Sequence, residues 1–253
     1  MGYLHEGHLR LVDEARRRAD RVVVSIFVNP LQFGPHEDLA RYPRDLERDL
    51  RLLAERGADL VFTPSVETMY PTPALVRLDP GPVATRWEGA SRPGHFAGVL
   101  TVVAKLFHQV APDFACFGQK DIQQATLIRR MVLDLDWPIE IVVVPTVRDP
   151  DGLALSSRNV FLSPADRTRA LALSRALFAV QTAWRAGETD AGRLAAVASE
   201  VFGQVPEVTV DYLAIVDPIR LEPVGRVDPG TVVAVAARVG PTRLIDNLIL
   251  GQP

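Results

Sequence analysis

Residues 21–34 read RVVVSIFVNPLQFG, a β-branched apolar run that breaks at a proline and a glycine. The run at 21–29 predicts a strand that is buried on both faces of a parallel sheet. In open α/β sheets, ligands bind beyond the carboxyl ends of the strands, where Asn29 and Gln32 are expected. Their amide groups suit the hydroxyl and carboxylate groups of a ligand, whereas the plainer interpretation is an ordinary Pro/Gly turn.

Strand and helix patterns alternate on both sides of this run. Strand patterns follow at 59–63, 113–117 and 139–147, and helical patterns lie at 43–57, 96–110 and 119–135. Gly57 is expected to end the first of these helices. The alternation predicts an α/β fold built on a doubly wound parallel sheet.

The pattern changes near residue 148, where the turn sequence DPDG begins. Helical patterns at 164–187 and 190–202 then precede strand patterns at 208–216, 231–239 and 242–250. Helices followed by strands indicate an α+β arrangement. The sequence therefore predicts two domains, 1–148 and a smaller one at 149–253.

Composition narrows the class of protein. The 253 residues are 47% hydrophobic and carry a formal charge of −3, which gives nucleic acid or an anionic membrane no electrostatic attraction. The single cysteine, Cys116, excludes an internal disulfide and fits a reducing cytoplasm. No apolar run reaches the length of a membrane span.

Two histidines flank a glycine in His5-Glu6-Gly7-His8, directly before an amphipathic run. A helix that starts there would offer free backbone N–H groups and two ring donors, a combination that favours an anion such as phosphate. The spacing does not match the zinc-protease motif His-Glu-x-x-His. Two surface histidines in a flexible terminus are the alternative.

Two further segments could bind phosphate. At 118–124, Gly118 permits close backbone approach, Lys120 supplies a positive charge, and Asp121 could accept from ribose hydroxyls; Gln124 lies one helical turn beyond Lys120. A solvated helix start is the alternative for this segment. At 155–159, LSSRN offers two hydroxyls and a guanidinium, a set that is weak evidence by itself.

Taken together, these segments resemble those of the pantothenate synthetase (pantoate–β-alanine ligase) family of His-x-Gly-His nucleotidyltransferases. The matching stretches are MGYLHEGH, VVVSIFVNPLQFGP, RYPRDLERDL, RPGHFAGVLTVV, FGQKDIQQ, DGLALSSRNVFLS, DYLAIVDP and RLIDNL. They occur in the family's order over nearly the whole chain, and NPLQFGP with GLALSSRN is far more specific than the histidine motif.

The resemblance implies a Rossmann-like domain, a smaller C-terminal domain that closes over the site, and a cytoplasmic homodimer with small-molecule substrates only. It implies an AMP-forming ligase that uses ATP and Mg²⁺ to condense (R)-pantoate with β-alanine in coenzyme A biosynthesis. The pantoate carboxylate attacks the α-phosphate of ATP, which gives pantoyl adenylate and pyrophosphate. The amine of β-alanine then displaces AMP.

Site residues carry over by motif. His8 is the family's general acid, and His5 and Lys120 are its catalytic companions. Gln32 would bind pantoate and β-alanine, Gln124 would bind pantoate, and Asn29 would assist. The ATP positions are Met1, Gly2, Tyr3, Leu4, His5, Glu6, Gly7, His8, Gly118, Gln119, Lys120, Asp121, Val147, Leu155, Ser156, Ser157 and Arg158.

Two features depart from the family pattern. Gln119 stands where the family usually has glutamate, a change expected to matter little. Family members also carry a further strand before the histidine motif, so the resemblance implies that the first strand is missing from this chain. Two alternatives therefore stay open: another His-x-Gly-His nucleotidyltransferase, or an N-terminally truncated form that binds ATP without turnover.

Overall fold

The computed structural model describes residues 2–35, 37 and 39–252 and divides the chain into two compact units. The first unit spans Met1–Gln119 and Gln123–Pro145, and the second spans Lys120–Ile122 and Thr146–Pro253. The sequence placed the change of domain near residue 148, whereas the structure places it after Pro145 and gives the short Lys120–Ile122 segment to the second unit.

Parallel strands form the centre of the first unit. Strand β1 (Val23–Ser25) pairs with β2 (Leu60–Phe62), and β3 (Phe114–Gly118) pairs with β4 (Glu140–Val144), both in parallel register. Parallel pairs need long crossover connections, which helices supply here. The helices of this unit are α1 (Glu6–Arg18), α2 (Leu46–Glu55), α3 (Val66–Met69), α4 (Glu88–Ser91), α5 (His95–Val110) and α6 (Ile122–Asp134).

The strand predicted at 21–29 is wrong in length and in burial. Of this segment, Val23–Ser25 forms the strand, and Val23 and its partner Leu60 are 40% and 53% exposed. Among the described residues, β1–β2 and β3–β4 are separate pairs with no strand hydrogen-bonded between them. A strand with one partner buries less of its surface than the central strand that the apolar run indicated.

Helix α2 lies within the segment predicted at 43–57 but begins three residues later, at Leu46, and Gly57 follows its end as expected. The Asp45 carboxylate caps its start by accepting from the Arg48 N–H at 3.1 Å. At its end Gly57 adopts φ +72°, and its N–H reaches the Ala54 carbonyl while Ala58 N–H reaches that of Leu53. These two bonds form a Schellman motif, which needs glycine at this left-handed position.

Two helices cover a three-stranded antiparallel sheet in the second unit, as the order of elements predicted. The sheet has the order β5 (Val208–Val216), β6 (Val232–Val239), β7 (Thr242–Ile249). Helices α7 (Pro164–Arg185) and α8 (Ala191–Gly203) bury their apolar faces with it in one core. Fully buried members of that core include Leu177, Val180, Leu194, Val233, Val235 and Leu250.

None of the helices within the described part of the chain is long and apolar enough to span a bilayer.

Candidate active site

The two motif histidines lie at the start of α1 and are hydrogen-bonded to each other there. His5 is the N-cap and His8 the third residue of the helix. The backbone N–H of His5 donates to Nδ1 of His8 at 3.3 Å, and the backbone N–H of His8 donates in return to the backbone carbonyl of His5 at 2.8 Å. The ring centroids lie 4.0 Å apart. The motif therefore sits at a helix N-terminus as predicted, in a reciprocal capping arrangement.

The residues before the helix are held by a buried carboxylate. Asp49 of α2 is 1% exposed and accepts from the backbone N–H groups of Tyr3 and Leu4 at 2.6 and 2.7 Å. Tyr3 and Leu4 are positions that the family motif assigns to ATP, and their backbone N–H groups are engaged within the protein. The Glu6 carboxylate pairs with Arg56 at 3.0 Å. The predicted position Met1 lies outside the described residues.

Asn29 is a buried hub. Its side chain is 2% exposed; Oδ1 accepts from Leu31 N–H and from the Tyr70 hydroxyl, and Nδ2 donates to the Gly98 carbonyl at 3.1 Å. Since Leu31 N–H can only donate and the Gly98 carbonyl can only accept, these two contacts fix which way the amide faces. Burial raises the pKa of Tyr70 to about 12, so its hydroxyl stays protonated and donates.

The orientation of Asn29 sets that of Gln32. The remaining N–H of Asn29 Nδ2 donates to Gln32 Oε1 at 3.3 Å. The side-chain oxygen of Gln32, Oε1, therefore already accepts a hydrogen bond. The side-chain NH₂ group of Gln32 is the end that can donate to a ligand. Asn29, which the sequence assigned to substrate, thus contacts Gln32 in the structure.

The backbone carbonyl of Gln32 is held by two side chains, Arg92 at the end of α4 and His95 at the start of α5. Arg92 Nη2 donates to the Gln32 carbonyl at 3.1 Å, and His95 Nδ1 contacts the same oxygen at 2.8 Å. Burial, aided by Arg92, lowers the pKa of His95, so its ring is neutral. Arg92 also forms two bonds to Glu37, and although burial opposes ionisation, these bonds lower the pKa of Glu37.

For the substrate that the family resemblance assigns to Gln32, we expect Asn29→Ala to lower kcat/KM by about 100-fold, because the Gln32 amide would rotate freely and Tyr70 would lose its acceptor. Tyr70→Phe should lower it by only about 5-fold, since Leu31 N–H and Gly98 still orient Asn29. Steady-state kinetics at varied concentrations of that substrate measures both. Equal effects of the two variants would contradict an orienting role for Asn29.

Lys120 lies in a 3₁₀ turn, Gln119–Asp121, before α6 begins at Ile122. The predicted continuous α-helix over 119–135 is therefore wrong at its first turn, and the one-turn spacing inferred for Lys120 and Gln124 does not hold. Asn247 of β7 donates from Nδ2 to the Lys120 carbonyl at 2.9 Å, which ties this turn into the second unit.

Three positions around Lys120 have different surroundings. Gly118 ends β3, and a Cβ there would meet no atom of the chain within 4 Å, so packing does not demand this glycine. Gln124 is half-buried on α6. Its neighbour Gln123 is buried and bonds the backbone of Val83, Arg86 and Glu88, so it anchors the segment before α4.

The serine–arginine segment lies close to Lys120 in the second unit. Ser156 caps a 3₁₀ helix, Ser157–Phe161, and its hydroxyl accepts from Arg158 N–H at 3.3 Å. Leu155 N–H donates to the Val147 carbonyl at 2.9 Å, which brings the predicted positions 147 and 155–158 together. Lys120 and Ser156 line one small cavity with Asp246.

A buried ion pair supports this cavity. Arg148 donates to both oxygens of Asp246 at 2.6 and 2.8 Å, with side-chain exposures of 17% and 3%. Arg148 also lies over the Phe178 ring at 5.1 Å. A bidentate contact of this kind satisfies most of the lone pairs of the carboxylate.

We expect Arg148→Met to destabilise the second unit by about 3 kcal/mol, because Asp246 would be left as an unpaired buried charge. Arg238→Met is the matched control, since Arg238 is 58% exposed and lies 3.7 Å from Asp211; it should change stability by less than about 0.5 kcal/mol. Urea unfolding followed by circular dichroism measures both. Equal losses would show that burial of the Arg148 pair is unimportant.

Sequence reasoning missed Asp49, Tyr70, Arg92, Arg148 and Asp246. Asp49, Arg92 and Asp246 lie in the matching segments RYPRDLERDL, RPGHFAGVLTVV and RLIDNL, but no spacing rule assigned them a role. Each makes its contact with a residue that is brought near it by the tertiary fold. The one signal in the sequence was a charged residue, within a segment that matches the family, for which no role had been assigned.

Comparison with known proteins identifies relatives over the full length. The family model described as pantoate-beta-alanine ligase matches residues 1–249. A pantothenate synthetase from Pelotomaculum thermopropionicum is 53% identical over 252 residues, which is 100% of this chain and 89% of the relative.

Two solved structures are similar. The crystal structure of pantothenate synthetase from Thermus thermophilus matches with TM-score 0.96 and 54% identity, over 98% of this chain and 90% of the other. A Francisella tularensis pantoate-beta-alanine ligase, described as complexed with beta-gamma ATP and beta-alanine, matches with TM-score 0.82 and 35% identity, over 100% and 88%.

Proposed function

The chain belongs to the pantoate–β-alanine ligase family, and from this premise we propose that it condenses (R)-pantoate with β-alanine at the expense of ATP. The family match over residues 1–249 is the observation that carries the proposal. The geometry of the two histidines and of Gln32 is compatible with it. The α/β fold expected from the sequence agrees with that of the similar structures.

Two steps account for the products. A pantoate carboxylate oxygen attacks the α-phosphorus of ATP; the bond to the bridging oxygen breaks, and pyrophosphate leaves. The β-alanine amine then attacks the acyl carbon, the bond to AMP breaks, and the amine gives up a proton. Such steps need positioned donors and cations around the phosphate oxygens more than covalent help from the protein.

Mg²⁺ enters as part of the substrate, MgATP. Mg²⁺ is usually bound by substrate phosphates with one or two protein carboxylates. Within the part of the chain that the structure describes, no group of three acidic, histidine or cysteine side chains could hold a metal ion.

The neutral His8 ring has a defined tautomer. Because its Nδ1 accepts from the His5 N–H, its proton lies on Nε2. We assign this Nε2–H to a phosphate oxygen of ATP, with His5 beside it. His8 acts first as a donor to charge that develops on phosphate, since metal-bound pyrophosphate leaves without a full proton.

Gln32 presents its NH₂ group to substrate. Pantoate offers a carboxylate and hydroxyl oxygens, and β-alanine offers a carboxylate, all of which accept hydrogen bonds. The bond from Asn29 to Gln32 Oε1 supports this assignment, because the amide cannot turn without losing it. Gln124 is assigned to pantoate from the family motif.

ATP contacts in the second unit are assigned to Lys120, Ser156, Ser157 and Arg158, with Val147 and Leu155 beside them. Lys120 and Ser156 lie close enough to line one small cavity, and this proximity supports the assignment. Lys120 supplies a mobile positive charge, and Arg158 supplies a planar guanidinium group that can donate two hydrogen bonds to a phosphate. Gly118, Gln119 and Asp121 are assigned to ATP from the motif.

Product analysis of the purified 253-residue chain tests the proposal. With MgATP and pantoate alone, we expect pyrophosphate and enzyme-bound adenylate; AMP should be released at a steady rate only when β-alanine is added. Omission of pantoate should abolish both products. AMP formation that does not depend on pantoate would exclude this ligase activity.

We also propose a cytoplasmic homodimer and closure of the second unit during the reaction. The family resemblance supports the dimer, and the single cysteine supports a reducing compartment. Closure would shield the adenylate from water.

A further inference from the structure

A buried carboxylate holds the segment before the histidine motif. Asp49 is the fourth residue of α2 and lies 45 positions along the chain from Leu4. Its two oxygens take one backbone N–H each, Oδ2 from Tyr3 and Oδ1 from Leu4. Both distances, 2.6 and 2.7 Å, are short, as expected for charge-assisted hydrogen bonds.

The backbone that Asp49 holds is in an unfavourable conformation. Gly2 has φ +108° and Tyr3 has φ +53°, a left-handed value that a tyrosine seldom adopts. Strained backbone of this kind persists only where its surroundings determine it. Without the carboxylate, the two N–H groups would lose their acceptor and the segment would relax.

Arg48 adds to the constraint from the same helix. Its Nη1 donates to the Leu4 carbonyl at 2.9 Å, and its guanidinium lies over the Tyr3 ring at 5.3 Å. The same nitrogen is 3.6 Å from Asp49 Oδ1. Both the N–H and the carbonyl of Leu4, the residue before His5, are therefore fixed by α2.

We infer that Asp49 is a positioning residue for the two motif histidines, because it fixes the chain path into the N-cap of α1. With that path fixed, the His5 N–H meets His8 Nδ1, and the His8 Nε2–H keeps one direction. Asp49 also occupies two N–H donors that could otherwise attract an anion, which leaves phosphate to the ring donors. The kinetic consequence rests on the proposed function, whereas the conformational one does not.

The kinetic test is a double-mutant cycle between Asp49→Asn and His8→Ala. Asparagine keeps the shape but turns an NH₂ group toward one of the backbone donors. We expect pantoate-dependent pyrophosphate formation to slow by about 30-fold in kcat, with KM for pantoate changed less than about 3-fold. In the His8→Ala background the further loss should stay below about 3-fold, because there is no His8 ring left to position.

Asp45→Asn is the matched control on the same helix, since asparagine caps helices as well as aspartate does. It should leave kcat within about 2-fold. Fully additive losses in the cycle, or an equal loss in Asp45→Asn, would overturn the positioning role.

A second readout needs no activity. In the unmodified chain, the amide protons of Tyr3 and Leu4 should exchange slowly with solvent, and ¹⁵N shifts should show His8 protonated on Nε2. Asp49→Asn should speed exchange at these two amides by about 10-fold or more and lose the single His8 tautomer. Unchanged exchange and tautomer would refute the inference even in an active enzyme.

If Asp49→Asn does not fold, Arg48→Met tests the same constraint while Asp49 is kept. It should slow kcat by about 5-fold, again with no further loss in the His8→Ala background. An unmodified chain that shows the expected exchange and tautomer but forms no AMP would refute the proposed function and leave the positioning role intact.

Discussion

His8→Ala should slow formation of pantoyl adenylate by about 100- to 1,000-fold while the dissociation constant of pantoate changes less than about 3-fold. The alanine variant removes a donor that acts on charge developing at phosphate, and pantoate is assigned to other side chains. Rapid-quench measurement of pyrophosphate and equilibrium binding of pantoate give the two quantities. Equal losses in both would show that His8 is only structural.

A second substitution separates the two roles of the His8 ring. His8→Asn can keep an acceptor near the Nδ1 position, so the His5 N–H would stay capped, but it lacks the Nε2–H. We expect thermal stability close to that of the unmodified chain and a rate nearly as low as that of His8→Ala. A rate close to the unmodified one would mean that helix capping is what His8 contributes.

His108→Ala provides a histidine control. His108 is exposed on α5, where its Nδ1 contacts the Ala104 carbonyl at 2.8 Å. Loss of this ring should leave the adenylation rate within about 2-fold, because it lies outside the proposed site. A comparable loss in this variant would point to a general effect of removing histidine.

Gly98→Ala should destabilise the first unit by about 3 kcal/mol and abolish the binding of pantoate. A Cβ at Gly98 would lie 2.1 Å from the carbonyl oxygen of Leu31 and 2.8 Å from the backbone nitrogen of Gln32. Both atoms belong to the backbone, so no side chain can rotate away. Gln32 is the last residue of a 3₁₀ helix, Pro30–Gln32, which would have to move away from α5. This movement would also break the hydrogen bond from Asn29 to the Gly98 carbonyl.

Gly203→Ala is the control for this substitution. Gly203 is the last residue of α8, and a Cβ there would meet nothing within 4 Å. Since alanine favours a helix over glycine, this variant should gain about 0.5 kcal/mol. Urea unfolding of both variants measures the difference. A Gly98→Ala variant as stable as the unmodified chain would contradict the close packing of α5 on the Gln32 turn.

The repeating patterns of the sequence were enough for most elements. The strand predicted at 208–216 has the same limits in the structure, and the helix predicted at 164–187 matches α7 to within two residues at its end. In these segments apolar residues recur at regular spacing over a long stretch, because one face of each element is buried. The family followed from motif order and was confirmed by the comparisons.

Residues 21–29 show where a local pattern is not enough. A β-branched run reports a preference for extended, buried backbone, but the number of hydrogen-bonded neighbours decides how long the strand is and how deeply it lies. Among the described residues β2 is the partner of this strand, and the two are paired in register over three residues. The 3₁₀ turn at Lys120 differs from the predicted α-helix for a similar reason. The side chain of Asn247, distant along the chain, donates a hydrogen bond to the Lys120 backbone carbonyl.

The sequence by itself determined the α/β class, the order of elements, the family and the residue types of the candidate site, because each depends on short-range periodicity or on motif order. Only the tertiary structure decided that Asp49 holds the histidine motif, that Asn29 orients Gln32, and that Arg148 pairs with Asp246. These contacts join residues that are distant along the chain. Periodicity shows which face of an element a residue occupies, whereas the folded path of the chain selects its partner.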